Sequence, residues 1–224
     1  MRVLFLVRHG ETDENAQGRT IATTDPSLNS RGAAQADAVA RTLSSVDIGL
    51  IISSPRRRCV QTAEAIAAAQ GTAQGRTPSV QLDTGLVEIG LGAFEGRSVD
   101  EIRANGLGEV FAAWRQGSPP EYPPGGERFD DASARLGAVF DEACRSDVDS
   151  VVLVGHSHAL RIMIATRILG GTPEMHRRLF LNHASVTSVF WEGETPRLAV
   201  LNGSVASDVL APPVSRAFGR RHAE

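Results

Sequence analysis

Three short stretches carry residues whose types and spacing suit chemistry on phosphate. Arg8, His9 and Gly10 begin RHGET, directly after the apolar run VLFLV. Arg56, Arg57 and Arg58 follow Ser53, Ser54 and Pro55, and GHSH at 155–158 follows VVLV. A phosphoryl group in transfer spreads negative charge over three equatorial oxygens, so catalysis is mostly positioning plus electrostatic stabilisation. Arginine forks grip two oxygens at once. Two guanidiniums and a second imidazole would supply positive donors without a metal. Nearby arginines disfavour the protonated ring, so the pKa of His9 is expected to be pushed down. A glycine beside each histidine would let backbone approach a ligand closely.

Strand-like and helix-like segments alternate around these stretches. Residues 2–7, 48–52, 80–82 and 151–154 read as strands, the last being the most β-branched and best suited to a buried central position. Helical spacing marks 30–44, 56–69, 98–116, 129–145 and 159–169. Residues 70–78 and the proline-rich 118–127 read as loops, and 186–191 and 198–201 as late, antiparallel strands. Alternation of this kind predicts a three-layer α/β/α fold with a mostly parallel sheet. The histidine-bearing stretches would then lie at strand carboxyl ends, where open sheets bind ligands.

Composition removes several alternatives. The chain of 224 residues has 42% apolar and 22% charged residues and a net charge of −3, so no global field recruits nucleic acid or an anionic membrane. No apolar run is long enough to span a bilayer, and the first residues lack a signal-peptide pattern, so a cytoplasmic location is expected. All 23 basic residues are arginine, which rules out a P-loop lysine and a lysine Schiff base. Cys59 and Cys144 belong to no CxxC pair and read as reduced thiols; no metal site is expected.

Taken in order, RHGET with Asn15, DPSLNSRGAAQA (25–36), SSPRRRCVQTAEA (53–65), LVEIGLGAFEG (86–96), PGGE (124–127) and VLVGHSHALR (152–161) are spaced as in one known family. The chain resembles the histidine phosphatase superfamily, the phosphoglycerate mutase-like proteins. The pattern along the chain reads as one domain at about 1–205, with a lid over the sheet at about 85–128 and a polar tail at 206–224. The resemblance implies a metal-independent phosphatase that hydrolyses small phosphate monoesters through a phosphohistidine, with no cofactor. His9 is then the nucleophile, Arg8, Arg58 and His156 hold the phosphoryl oxygens, and Glu88 donates a proton to the leaving oxygen and later activates water. The expected substrate-binding set is Arg8, Asn15, Arg58, His156, Ser157 and His158. His158 stands where the family commonly has glycine, as a pocket residue or a helix cap. The partner expected is a small phosphate ester, with neither nucleic acid nor membrane, and a homodimer is compatible with the chain.

Other residues receive structural readings: Glu95 in its Glu-Gly turn, Arg161 in a hydrogen bond or salt bridge near the site, and His183 in a loop before the late strands. Trp114 and Phe111 are read as lid packing, His176 and His222 as surface residues. Three rivals stand beside the main reading. A cofactor-dependent mutase would need substrate residues that EIGLGAFEG does not offer. A serine hydrolase could use GHSHA as a nucleophile elbow at Ser157, with Asp208 and His222, but leaves RHGET unexplained. A non-catalytic phosphate-binding module would not need the whole residue set.

Overall fold

The computed structural model describes residues 2–116 and 122–204; the expected tail falls outside them. Strand β1 (Val3–Arg8) lies beside β4 (Ser150–Gly155); β1 is apolar and buried up to Arg8, and β4 is buried from Val151 through Gly155. The sheet has six strands in the order β3-β2-β4-β1-β5-β6, with β2 at Leu50–Ser53, β3 at Val80–Leu82, β5 at Val186–Glu192 and β6 at Thr195–Gly203. The first four pair in parallel, and β5 and β6 complete the edge antiparallel.

Alternate strand residues feed two cores, as the period-two pleat requires. Val3, Phe5, Val7, Val152 and Val154 pack with α2 (Ser30–Leu43) and α3 (Arg57–Gln74). Leu4, Leu6, Val151 and Leu153 pack with α6 (Phe129–Arg145), α7 (Ser157–Met163) and the 86–114 segment. The mixed α/β architecture expected from the sequence is therefore present.

Register brings the chemistry together. Arg8 faces Gly155 across β1 and β4, while Ser53 faces Val154 across β2 and β4. Three neighbouring strands thus end at one edge of the sheet, each next to its unusual residues.

Two boundaries differ from the sequence reading. Helix α3 continues through residues 70–74 because Gln70 is buried and reaches back to the Leu43 carbonyl (2.9 Å) and the Ile48 N–H (3.2 Å); Gly75, at φ 70°, then ends it. The 98–116 stretch is two helices, α4 (Val99–Ala104) and α5 (Gly108–Gln116), separated where Gly106 adopts φ 74°.

Candidate active site

His9 follows β1 with its backbone fixed from two sides. Its N–H donates to the Gly155 carbonyl (3.1 Å), and its own carbonyl accepts from Ala184 N–H (3.1 Å). Ala184 holds φ 53°, a left-handed conformation costly for an L side chain. The side chain is buried, and Nδ1 lies 2.7 Å from the Gly10 carbonyl. A carbonyl only accepts, so Nδ1 carries the proton and Nε2 keeps its lone pair. Burial pushes the His9 pKa well below 6.5, with His156, Arg8 and Arg58 adding to the effect. The sequence gives the arginine contribution; burial is the larger one.

Gly10 does a different job from the one expected. A Cβ there would lie 2.4 Å from the Gly32 carbonyl oxygen, so the missing side chain makes room for α2 rather than for a ligand. The Gly10 N–H donates to Thr62 Oγ1 (3.2 Å), which ties the loop to α3.

Arg58 is completely buried. It donates to the carbonyls of Thr24 (2.9 Å) and Ala22 (3.5 Å), and its Nε has no partner. Those two carbonyls belong to a loop held by Glu95, whose carboxylate accepts from the N–H groups of Ala22, Thr23 and Thr24 and from the Thr24 hydroxyl. Burial alone would raise the Glu95 pKa; these hydrogen bonds outweigh it and hold the group below 4.5. Glu95 therefore positions Arg58 through the loop, beyond the local turn contact expected for it.

His156 lies at the end of β4, its ring centroid 5.2 Å from that of His9. Its Nε2 lies 2.9 Å from the Ser54 hydroxyl and 3.4 Å from the buried Cys59 sulfur. Burial, Arg58 and Arg8 lower its pKa well below 6.5. In the free protein the second imidazole is thus neutral, a hydrogen-bonding group rather than the positive charge the sequence suggested. Burial also lifts the Cys59 thiol to about 12 and keeps it protonated; both cysteines are free.

Glu88 sits across from α7. Its carboxylate accepts from the N–H groups of Ala159 (2.9 Å), Ile89 (3.0 Å) and His158 (3.1 Å). It shares a cavity of about 400 Å³ with Arg8, His9, Asn15, Ser157 and His158. Arg58 and His156 are buried next to His9, outside the cavity surface. Asn15 has a structural duty as well: its Oδ1 caps α1 (Asp13–Ala16) by accepting from the Thr12 N–H (3.3 Å).

Sequence reasoning missed two residues. His183 Nε2 lies 2.6 Å from Arg8 Nη2 and must accept, since a guanidinium only donates; Arg8 also donates to the Leu181 carbonyl (2.6 Å). Burial and Arg8 push the His183 pKa down to about 3. A separation of 175 residues leaves no spacing signal. His176, read as a surface residue, is buried instead, packs on Phe129 and His158 and lines the cavity. Trp114 does pack on Phe94 and Phe111 as expected, yet it also lines the cavity, with its ring centroid 5.3 Å from that of His158. Arg161 makes the expected structural bonds, to the carbonyls of Ser157 and Leu179. His222 and Asp208 lie outside the described residues.

Five buried or half-buried histidines share one electrostatic fate. Burial lowers His158 well below 6.5 and His176 to about 4, alongside His9, His156 and His183. On acidification through 6.5 the unfolded chain takes up protons that the native state refuses, so stability falls. Each histidine that stays neutral contributes a loss approaching about 1.4 kcal/mol per pH unit. The melting temperature, measured by circular dichroism from pH 8 to 5.5, should hold steady above pH 7 and drop steeply below 6.5. A midpoint that stays level or rises on acidification contradicts this account.

An α/β/α sheet whose parallel strands deliver arginine and histidine to one edge, beside a carboxylate held at the start of α7, defines an enzyme of the phosphoglycerate mutase-like fold. Residues 4–204 match the histidine phosphatase superfamily (branch 1); the chain belongs to that family. It is 34% identical over 204 residues to a probable phosphoglycerate mutase GpmB of Cronobacter sakazakii, with 89% of each chain covered. Among solved structures, a mycobacterial glucosyl-3-phosphoglycerate phosphatase with bound VO3 is 31% identical, with a TM-score of 0.79 over 91% of this chain and 100% of the other. A phosphoserine phosphatase from Entamoeba histolytica in complex with 3-phosphoglyceric acid is 26% identical, with a TM-score of 0.74 over 91% and 98%. With this membership and these neighbours, the chain is an enzyme of the phosphatase class.

Proposed function

We propose that the protein hydrolyses small phosphate monoesters without a metal, through a phosphohistidine at His9. One observation carries the reading: His9 keeps its Nε2 lone pair at the cavity while Nδ1 is tied to the Gly10 carbonyl. In the first step Nε2 attacks phosphorus and the bond to the leaving oxygen breaks. Glu88, in its acid form, passes its proton to that oxygen. In the second step Glu88 takes a proton from water as the water attacks the phosphohistidine, which returns His9 and releases phosphate. Both steps develop charge on the same oxygens.

Arg8, Arg58 and His156 hold those oxygens in this reading. The unpartnered Nε of Arg8 and of Arg58 are donors that a phosphate would satisfy. A bound dianion also favours the protonated form of His156, so its charge would arrive with the substrate. Asn15, Ser157 and His158 line the rest of the cavity, and residues 85–116 with 122–128 act as its lid.

Hydrolysis is favoured over mutase chemistry because residues 88–96 give the cavity only Glu88 and Leu91, with no arginine or tyrosine for a returning sugar acid. Among the described residues no histidine hydrogen-bonds Ser157, so the serine hydrolase reading gains nothing. A cytoplasmic setting fits the two free thiols.

A phosphate-release assay over a panel of metabolite esters, run with EDTA present, tests the proposal. Turnover should persist in EDTA, and bisphosphoglycerate should not stimulate transfer between phosphoglycerates. Activity that EDTA abolishes, or that bisphosphoglycerate diverts into transfer, overturns it.

A further inference from the structure

The PGGE turn (124–127) does not line the cavity, yet it packs against the residues that carry Glu88. The approach is close: a Cβ on Gly126 would lie 2.7 Å from the Gly90 carbonyl oxygen. Glu127 then bonds Gly90 in both directions. Its N–H donates to the Gly90 carbonyl (2.9 Å), and its carboxylate Oε2 accepts from the Gly90 N–H (3.2 Å).

Arg135, on α6, completes a clamp. Its Nε and Nη2 donate to Glu127 Oε1 (2.7 Å) and Oε2 (2.8 Å), a two-pronged ion pair. Its Nη1 donates to the carbonyls of Gly85 (2.7 Å) and Val87 (2.8 Å). Four of the five guanidinium N–H groups are engaged in this way. Arg135 thus holds the backbone just before Glu88, and Glu127 holds it just after. The two side chains are only 22% and 23% exposed, and neither lines the cavity. A lysine could not replace the arginine, because an ammonium concentrates three donors at one point and lacks the planar fork.

Glu88 is therefore held at both ends by different helices. Its carboxylate is fixed by the N–H groups of His158 and Ala159 on α7, and its main chain by an ion pair rooted in α6. The direction of its side chain depends on both anchors. We propose that Arg135 and Glu127 are positioning residues for Glu88, fixing the 85–90 backbone so that the carboxyl group meets the leaving oxygen. The inference rests on the acid role given to Glu88 above. Neither residue touches the substrate; both act through residue 88. A shift of about 1 Å in a catalytic group is enough to cost about 10²-fold in rate.

A double-mutant cycle tests this. Arg135→Lys keeps the charge and loses the fork; Glu127→Gln keeps the shape and loses the charge. In each, kcat/KM for an alkyl phosphate should fall about tenfold or more, while vanadate affinity stays near wild type. The loss should be smaller for p-nitrophenyl phosphate, whose leaving group needs no proton. Introduced into Glu88→Gln, either change should cost less than about threefold, because the proton it aims is already gone. A purely structural ion pair would give the same fold-loss in both backgrounds. That result, wild-type kcat/KM in both single variants, or failure of both to fold overturns the positioning role and leaves the phosphatase reading standing. Full alkyl phosphate turnover in Glu88→Gln, or absence of His9-dependent phosphate release, overturns the reading on which the inference rests, and the inference with it.

Discussion

His9→Ala should abolish phosphate release from every ester the wild-type protein hydrolyses, by about 10⁴-fold or more, the scale on which loss of a covalent nucleophile is felt. The prediction separates chemistry from binding. Alanine removes Nε2 yet leaves Arg8, Arg58, His156 and the backbone bonds of residue 9 to Gly155 and Ala184 intact. Vanadate should therefore still bind, within a few-fold of wild type. Stability should change little or rise, because the ring is buried and held neutral while its Nδ1 serves only the adjacent Gly10 carbonyl. In the wild type, an alkaline quench during turnover should trap phosphate on His9. Unchanged hydrolysis in a folded His9→Ala protein would falsify the phosphohistidine route, and retained hydrolysis with label on another residue would relocate the nucleophile.

How far the sequence leads here depends on the range of the interaction. The strand ends were legible because the apolar runs of β1, β2 and β4 stop abruptly at Arg8, Ser53 and Gly155, and a parallel sheet sends such ends to one edge. Which arginine mattered in the run 56–58 came from the family resemblance. The structure adds why the three differ: Arg58 is buried against the 22–24 loop, while Arg57 pairs with Asp25 at the surface. What stayed hidden was contact across long separations. No periodicity links His183 to Arg8 or Glu95 to Arg58, since each depends on where a loop lands after the sheet has formed. The neutrality of His156 is hidden for a related reason. Sequence shows neighbouring charges but not the depth at which they sit, and burial is the first cause of its neutrality. Gly10 shows the same limit, because the atom that needs its missing side chain belongs to Gly32, on another element.

Glu88→Gln should slow hydrolysis of alkyl phosphates by about 10²–10⁴-fold, the usual contribution of a positioned acid or base, while vanadate affinity stays near wild type. Leaving-group dependence makes the assignment specific. An alkoxide needs its proton as the bond breaks, whereas nitrophenolate departs without one, so the loss of the phosphorylation step should be much smaller for p-nitrophenyl phosphate. Structural damage can be told apart from lost chemistry. Glutamine can keep the bonds that Oε1 accepts from Ile89 and Ala159 N–H. It would then turn an amide N–H₂ toward the His158 N–H that Oε2 now accepts at 3.1 Å, a mismatch of about 1–3 kcal/mol in stability. That mismatch would lower the melting temperature and affect all substrates alike. A loss of equal size for alkyl and nitrophenyl esters in the phosphorylation step itself, with dephosphorylation unaffected, therefore assigns Glu88 to holding α7 and the 88–91 segment. A loss confined to poor leaving groups assigns it to the proton. Full turnover of an alkyl phosphate in this variant removes Glu88 from the mechanism, because among the described residues no other carboxylate lines the cavity.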